Sequence, residues 1–173
     1  MTDVPETFRA WVTQDWKINS ARRDSCVIMA WFRLCQWSLA HWGPLGPVMY
    51  KIYYVFCSTV LALELPPDAE IGPALWMPHP HNIHVHPKTR IGRNCMIRQG
   101  VTLGNSASMD GVDTECPVIG DYVELGTGCV VVGGAHVGDN ARIGANALVA
   151  TDVPSGALAL GNPARILKNA SPA

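Results

Sequence analysis

The chain has 173 residues, of which 16% are charged and 48% hydrophobic, with a formal net charge of −1. That length suits one domain with a real core and a helical appendage. The near-neutral balance excludes a broad electrostatic attraction to nucleic acid, so no nucleic-acid partner is expected.

The start, MTDVPETFRAW, lacks a basic stretch followed by an apolar core and a small-residue cleavage site. It does not read as a secretory leader, and a cytoplasmic location is expected. Residues 1–63 read as an N-terminal helical segment rich in Trp, Tyr, Leu and Ala, with helices predicted over Ser25–Trp42 and Pro47–Leu63. Gly43, Pro44, Gly46 and Pro47 break the chain between them. The stretch VMYKIYYVFCSTVLAL carries one charge, Lys51, yet is shorter than the ~20 apolar residues a spanning helix needs. It reads as a helix buried at a subunit interface, or as a peripheral contact at the inner face of a membrane.

From residue 64 to 167 the pattern changes to a period of six. Leu65, Ile71, Met77 and Ile83 form one series; Val85, Ile91, Ile97 and Leu103 a second; Ile119, Leu125, Val131, Val137, Ile143 and Val149 a third. Glycine follows at Gly72, Gly92, Gly104, Gly120, Gly126, Gly138 and Gly144. Small or β-branched residues recur four places on, at Cys95, Val101, Val123, Cys129, Ala135, Ala141 and Ala147. A helix returns its apolar face every three or four residues and a strand every second, so neither explains this spacing. Short strands joined by corners, three to a coil, do. Stacked at about 4.8 Å, each coil sets its inward residues over those of the coil before, about 18 positions earlier.

Two places depart from the rule. The register slips by two residues within PHPHNIHVHP, and NSASMDGVDTEC interrupts the repeat, predicting a protruding loop over 105–117. Function concentrates at such departures from a rigid scaffold. Residues 168–173 read as a tail. The six cysteines show no metal-type or Cys-x-x-Cys spacing and are expected to be reduced, with Cys95 and Cys129 acting as small inward hydrophobes.

These residues resemble the hexapeptide-repeat acyltransferases, left-handed parallel β-helix enzymes. Within them the likeness is to the serine acetyltransferases and to the relatives that acetylate exopolysaccharide, such as the colanic acid acetyltransferases. It rests on ELPPDAEIGPALWMPHPHNIHVHP, RIGRNCMIRQGVTLGN, PVIGDYVELGTGCVVVGG and IGANALVATDVPSGALALGNPARIL, with a weaker likeness in QDWKIN and WFRLCQW. It implies transfer of an acetyl group from acetyl-CoA to a hydroxyl, with His79 as catalytic base and Glu64 as its acidic partner. An imidazole removes the hydroxyl proton while a carboxylate holds its other N–H. With coils of about 18 residues, Asn82 would stack above Glu64 and bring His79 to the same edge. The likeness also implies acetyl-CoA against Gly104, Gly126, Thr127 and Ala145, with Arg165 near a CoA phosphate. A groove shared between neighbouring copies implies a homotrimer, or two trimers paired.

The sequence departs from serine acetyltransferase where those enzymes carry an Asp before the histidine and an Arg-His pair closing the loop. Here stand Pro78, Glu115 and Cys116. A carboxylate-bearing acceptor wants a basic partner, and Glu115 repels it. A saccharide hydroxyl is the preferred acceptor on this reading, with serine O-acetylation the alternative. The histidines His79, His81, His84 and His86 also admit a zinc reading, as in related carbonic anhydrases, but their crowding within one coil does not suit converging ligands, and no metal is expected. A non-catalytic β-helical module is the remaining rival.

Overall fold

The computed structural model describes residues 7–106 and 115–167. Four helices open the chain: α1 (Phe8–Thr13), α2 (Trp16–Asn19), α3 (Arg23–His41) and α4 (Leu45–Leu61). The Thr7 hydroxyl caps α1 by accepting the Ala10 N–H, and Asp24 and His41 sit at the dipole-favoured ends of α3. The break between the two long helices is shorter than expected. Gly46 and Pro47 lie inside the first turn of α4, where an N–H has no helical partner for proline to remove.

The strands that follow are two or three residues long: β1 (Leu63–Glu64), β2 (Glu70–Ile71), β3 (Ile83–Val85), β4 (Arg90–Ile91), β5 (Met96–Ile97), β6 (Thr102–Gly104), β7 (Val118–Ile119), β8 (Glu124–Leu125), β9 (Val130–Val132), β10 (His136–Val137), β11 (Arg142–Ile143), β12 (Leu148–Val149), β13 (Leu158–Leu160) and β14 (Arg165–Leu167). They stack into three sheets, ordered β1-β3-β6-β9-β12, β10-β7-β4-β2 and β14-β13-β11-β8-β5. Pairing is parallel throughout except that β14 folds back antiparallel on β13. The result is a three-faced parallel β-helix.

Every aliphatic residue of the three hexad series is buried, as are the seven small residues between them. Steady coils advance by 18, as from Val118 to His136 or Glu124 to Arg142. The loop coil advances by 28, from Arg90 to Val118, and so holds ten extra residues. Residues 107–114 of the predicted loop, and the tail at 168–173, lie outside the described residues.

The first coil differs from the expectation. It advances by 20, with Leu63 under Ile83, Ile71 under Ile91 and Trp76 under Met96. From Trp76 to His84 the chain takes eight steps where Met96 to Thr102, one coil on, takes six. The two added residues therefore lie in the corner that carries His79 and Asn82, ahead of β3. Accordingly His84, and not Asn82, stacks on Glu64.

An open β-helix end exposes unpaired strand groups. Here the helices supply polar side chains in place of a missing coil. Asn19 donates to Leu75 O and accepts from Met77 N–H, Ser25 donates to Met77 O, and Asp15 accepts from Leu75 N–H. Arg33 donates to Ile71 O and Gly72 O and grips Asp15 through two bonds, at 2.7 and 3.2 Å. Arg33 and Asp15 are 2% and 1% exposed. Phe32, Cys35, Tyr53 and Cys57 join the same apolar core as the coils. The outer side of α4 exposes Leu45, Val48, Ile52, Val55, Phe56 and Val60.

Candidate active site

The corner between the third and first sheets gathers most of the anticipated site. His79 lies in the enlarged turn of the first coil, half-buried, and its carbonyl accepts the His81 N–H at 2.8 Å. Successive turns then stack on it: Gly100 N–H donates to His81 O, Gly128 N–H to Gln99 O and Asn146 N–H to Thr127 O. Gly126 and Thr127 occupy the third turn and Ala145 the fourth. A Cβ on Gly126 would stand 2.6 Å from Ile143 O and 2.8 Å from Ala145 N, so only glycine lets these turns nest. Gly128, at φ +68, takes the left-handed conformation that the corner demands; Asn82 and Asn146 take it in the same column, at φ 53 and 56. These left-handed corner residues form a second class of turn position that the glycine-after-aliphatic pattern does not reveal. Above the fourth turn, Gly161 O accepts from Leu148 N–H and Ala164 N–H donates to Leu148 O. Exposed Arg165 follows at once.

Glu64 and Gly104 lie elsewhere, on the outer face of the first sheet. Glu64 Oε2 is 3.5 Å from His84 Nδ1, both side chains being about half exposed. The carboxylate is therefore engaged by His84 here. Among the described residues, the His79 ring makes no hydrogen bond or ion pair. The expected Glu64–His79 pairing assumed an 18-residue coil, and the two extra residues move the stacking partner from 82 to 84. Counting the slip into the coil would have found His84 from the sequence.

His86 Nδ1 accepts the Lys88 N–H at 3.1 Å and lies 3.1 Å from Cys116 Sγ at the loop's end. A nitrogen that accepts carries no proton, so the Cys116 thiol is the donor. Glu64, His84, His86 and Gly104 line a cleft of about 240 Å³ whose other wall is Tyr50 and Tyr54 of α4. Gly104 has no heavy atom within 4 Å of where its Cβ would be, so its backbone is open to a ligand. Desolvation, then the charges of Glu64 and Asp68, push the Tyr54 phenol above its usual range. Desolvation and Asp68 do the same to Tyr50. A larger cavity of about 530 Å³ lies under the helices between Trp11, Arg33 and Arg93. It touches none of the anticipated residues, and site chemistry favours the smaller cleft.

Burial drives the Cys35 and Cys129 thiols up to about 12 and those of Cys57 and Cys95 up to about 11. They stay protonated and inert at neutral pH. Among the described residues, no group of three or more His, Cys, Asp or Glu side chains is arranged to hold a metal ion. No described helix is long and apolar enough to cross a membrane.

Comparison with known proteins agrees with this architecture. The model of the bacterial transferase hexapeptide (six repeats) matches residues 116–151. The serine acetyltransferase of Helicobacter pylori is 36% identical over 108 residues, 62% of each chain. That of Mycobacterium tuberculosis is 30% identical over 138 residues, 78% of this chain and 58% of its own. The chain thus spans less than two thirds of these curated relatives. Among solved structures, the soybean serine acetyltransferase apoenzyme superposes with a TM-score of 0.76 at 26% identity, covering 92% of this chain and 68% of that one. A serine acetyltransferase in complex with CoA gives 0.72 at 25%, covering 90% and 68%. The chain is a hexapeptide-repeat protein that resembles the serine acetyltransferases.

Proposed function

We propose that the chain transfers an acetyl group from acetyl-CoA to a hydroxyl, L-serine being the acceptor that its relatives favour. The observation that carries this reading is one edge of the β-helix on which the enlarged His79 turn, Gly126, Thr127, Ala145 and the turn before Arg165 stand in a column. Four coil steps of about 4.8 Å separate its ends, roughly 19 Å, which suits an extended pantetheine arm. The glycine corners let successive turns nest into one even edge, and on the neighbouring face the bare Gly104 backbone is open to a thin chain. Arg165, exposed at the far end, answers a phosphate.

In this reading acetyl-CoA supplies an acyl carbon activated as a thioester. His79 takes the proton of the acceptor hydroxyl as its oxygen bonds to that carbon. The carbon–sulfur bond breaks, and the imidazolium returns the proton to the departing sulfur. Glu64 is the carboxylate partner, its half-exposed side chain swinging from His84 to steady the His79 imidazolium. The likeness to the serine enzymes also supports a left-handed winding, a domain spanning 64–167, a homotrimer with the groove between copies, and work in the cytoplasm.

A second reading, a neutral saccharide hydroxyl, has one observation in its favour. Glu115 and Cys116 close the loop where a carboxylate-binding pair would be expected, and among the described residues Glu64 is the one fixed charge lining the adjoining cleft. Thiol release from acetyl-CoA decides between them. A saturable rate with L-serine supports the first reading; a rate with neutral saccharides alone supports the second. No release with either removes transfer altogether.

A further inference from the structure

The cleft between α4 and the first sheet has three properties besides the roles already given to Glu64 and Gly104. Glu64 and His84 meet on its floor at 3.5 Å, held one above the other by the strand register. Tyr50 and Tyr54 form its wall as stacked rings, centroids 5.8 Å apart and 15° from parallel. Among the described residues its lining contains no lysine or arginine, and Glu64 is the one fixed charge there. Asp68, close enough to act on both phenols, adds a second negative charge beside it.

Such a lining sorts ligands by charge. A carboxylate or phosphate entering here would lose water and meet the negative charge of Glu64, with Asp68 close by, which is unfavourable. A hydroxyl or ammonium would instead donate a hydrogen bond to Glu64, or to His84 Nε2 when Nδ1 carries the proton that faces Glu64, with its carbon skeleton against the tyrosine rings.

We propose that this cleft is the acceptor pocket, that Glu64 and His84 are its recognition pair, and that it takes the neutral or cationic part of a hydroxyl compound while excluding anionic groups. The proposal deepens the transfer reading and rests on it. For L-serine it assigns the ammonium group and carbon skeleton to the cleft, with the hydroxyl turned toward His79 and the carboxylate left outside. His84 is a positioning and specificity residue here, distinct from the base His79.

The test compares three acceptors of one carbon skeleton and one configuration, L-serinamide, L-serine and L-glycerate, on the full chain at saturating acetyl-CoA. Binding is also followed directly through the His84 imidazole proton signals, assigned with His84→Gln. The expected order of kcat/KM and of affinity is serinamide, serine, glycerate, with at least tenfold between the first and last. Glu64→Gln should shrink that ratio severalfold. His84→Ala should raise the acceptor KM about tenfold and leave the KM for acetyl-CoA unchanged, and His84→Gln, whose amide reaches the place of Nε2, should recover part of it. Glycerate binding as well as serinamide, or His84 signals that no acceptor moves, would overturn the proposal. Should acetyl-CoA yield no thiol with any acceptor, transfer fails by itself; the His84 titration then still supports the pocket if serinamide wins and refutes it if not.

Discussion

The helical cap and the coiled shaft solve the same problem, satisfying strand edges, by different means. In the shaft each coil repeats its neighbour's hydrogen bonds, and loss of one side chain is shared along a ladder of equivalent contacts. In the cap four side chains, Asp15, Asn19, Ser25 and Arg33, each make contacts that nothing else duplicates. Repetition gives tolerance, while single-copy polar fits concentrate stability in a few residues.

That contrast can be broken by mutation. Asp15→Ala leaves the Arg33 guanidinium buried without its carboxylate, and Arg33→Ala leaves Asp15 likewise; each should cost about 3–5 kcal/mol in urea unfolding. If either cost no more than a surface change, the cap would not be the keystone described. Alkaline titration sharpens the comparison, because raised thiols occur in both regions, Cys35 and Cys57 in the cap and Cys95 and Cys129 in the shaft. Their folded values exceed those of the unfolded chain, so their protonated form favours folding. Stability should be full below pH 9 and fall as pH rises from about 9 toward 11 to 12, with cap and shaft probes moving together. Constant stability to pH 11 would contradict it. At the small end, Arg90→Ala removes an exposed pair with Glu70, 63% and 70% exposed, and should cost roughly 0.2–1 kcal/mol in the same unfolding assay.

The shaft was readable because its period is set by geometry: each inward position in every coil must be apolar, so Leu65 through Val149 announce themselves. The cap was readable only as helices. Nothing local in Asp15 or Arg33 signals a partner 18 residues away or a bond to the main chain of Ile71. At the site, the resemblance pointed to Gly126, Thr127 and Ala145, and the fold brings them to one edge with His79. Glu64 was misplaced relative to its neighbours because the two extra residues, noticed as a slip, were not carried into the stacking. His84 and the His86–Cys116 contact went unseen for the same reason, since both depend on which coil lies over which.

The most direct test of transfer at the His79 edge is single-turnover thiol release from acetyl-CoA with acceptor, comparing the native chain with His79→Ala and recording CoA binding alongside. The account predicts a fall of roughly 10²–10⁴-fold in rate with CoA affinity retained. A His79→Ala chain that turns over at the native rate would contradict it.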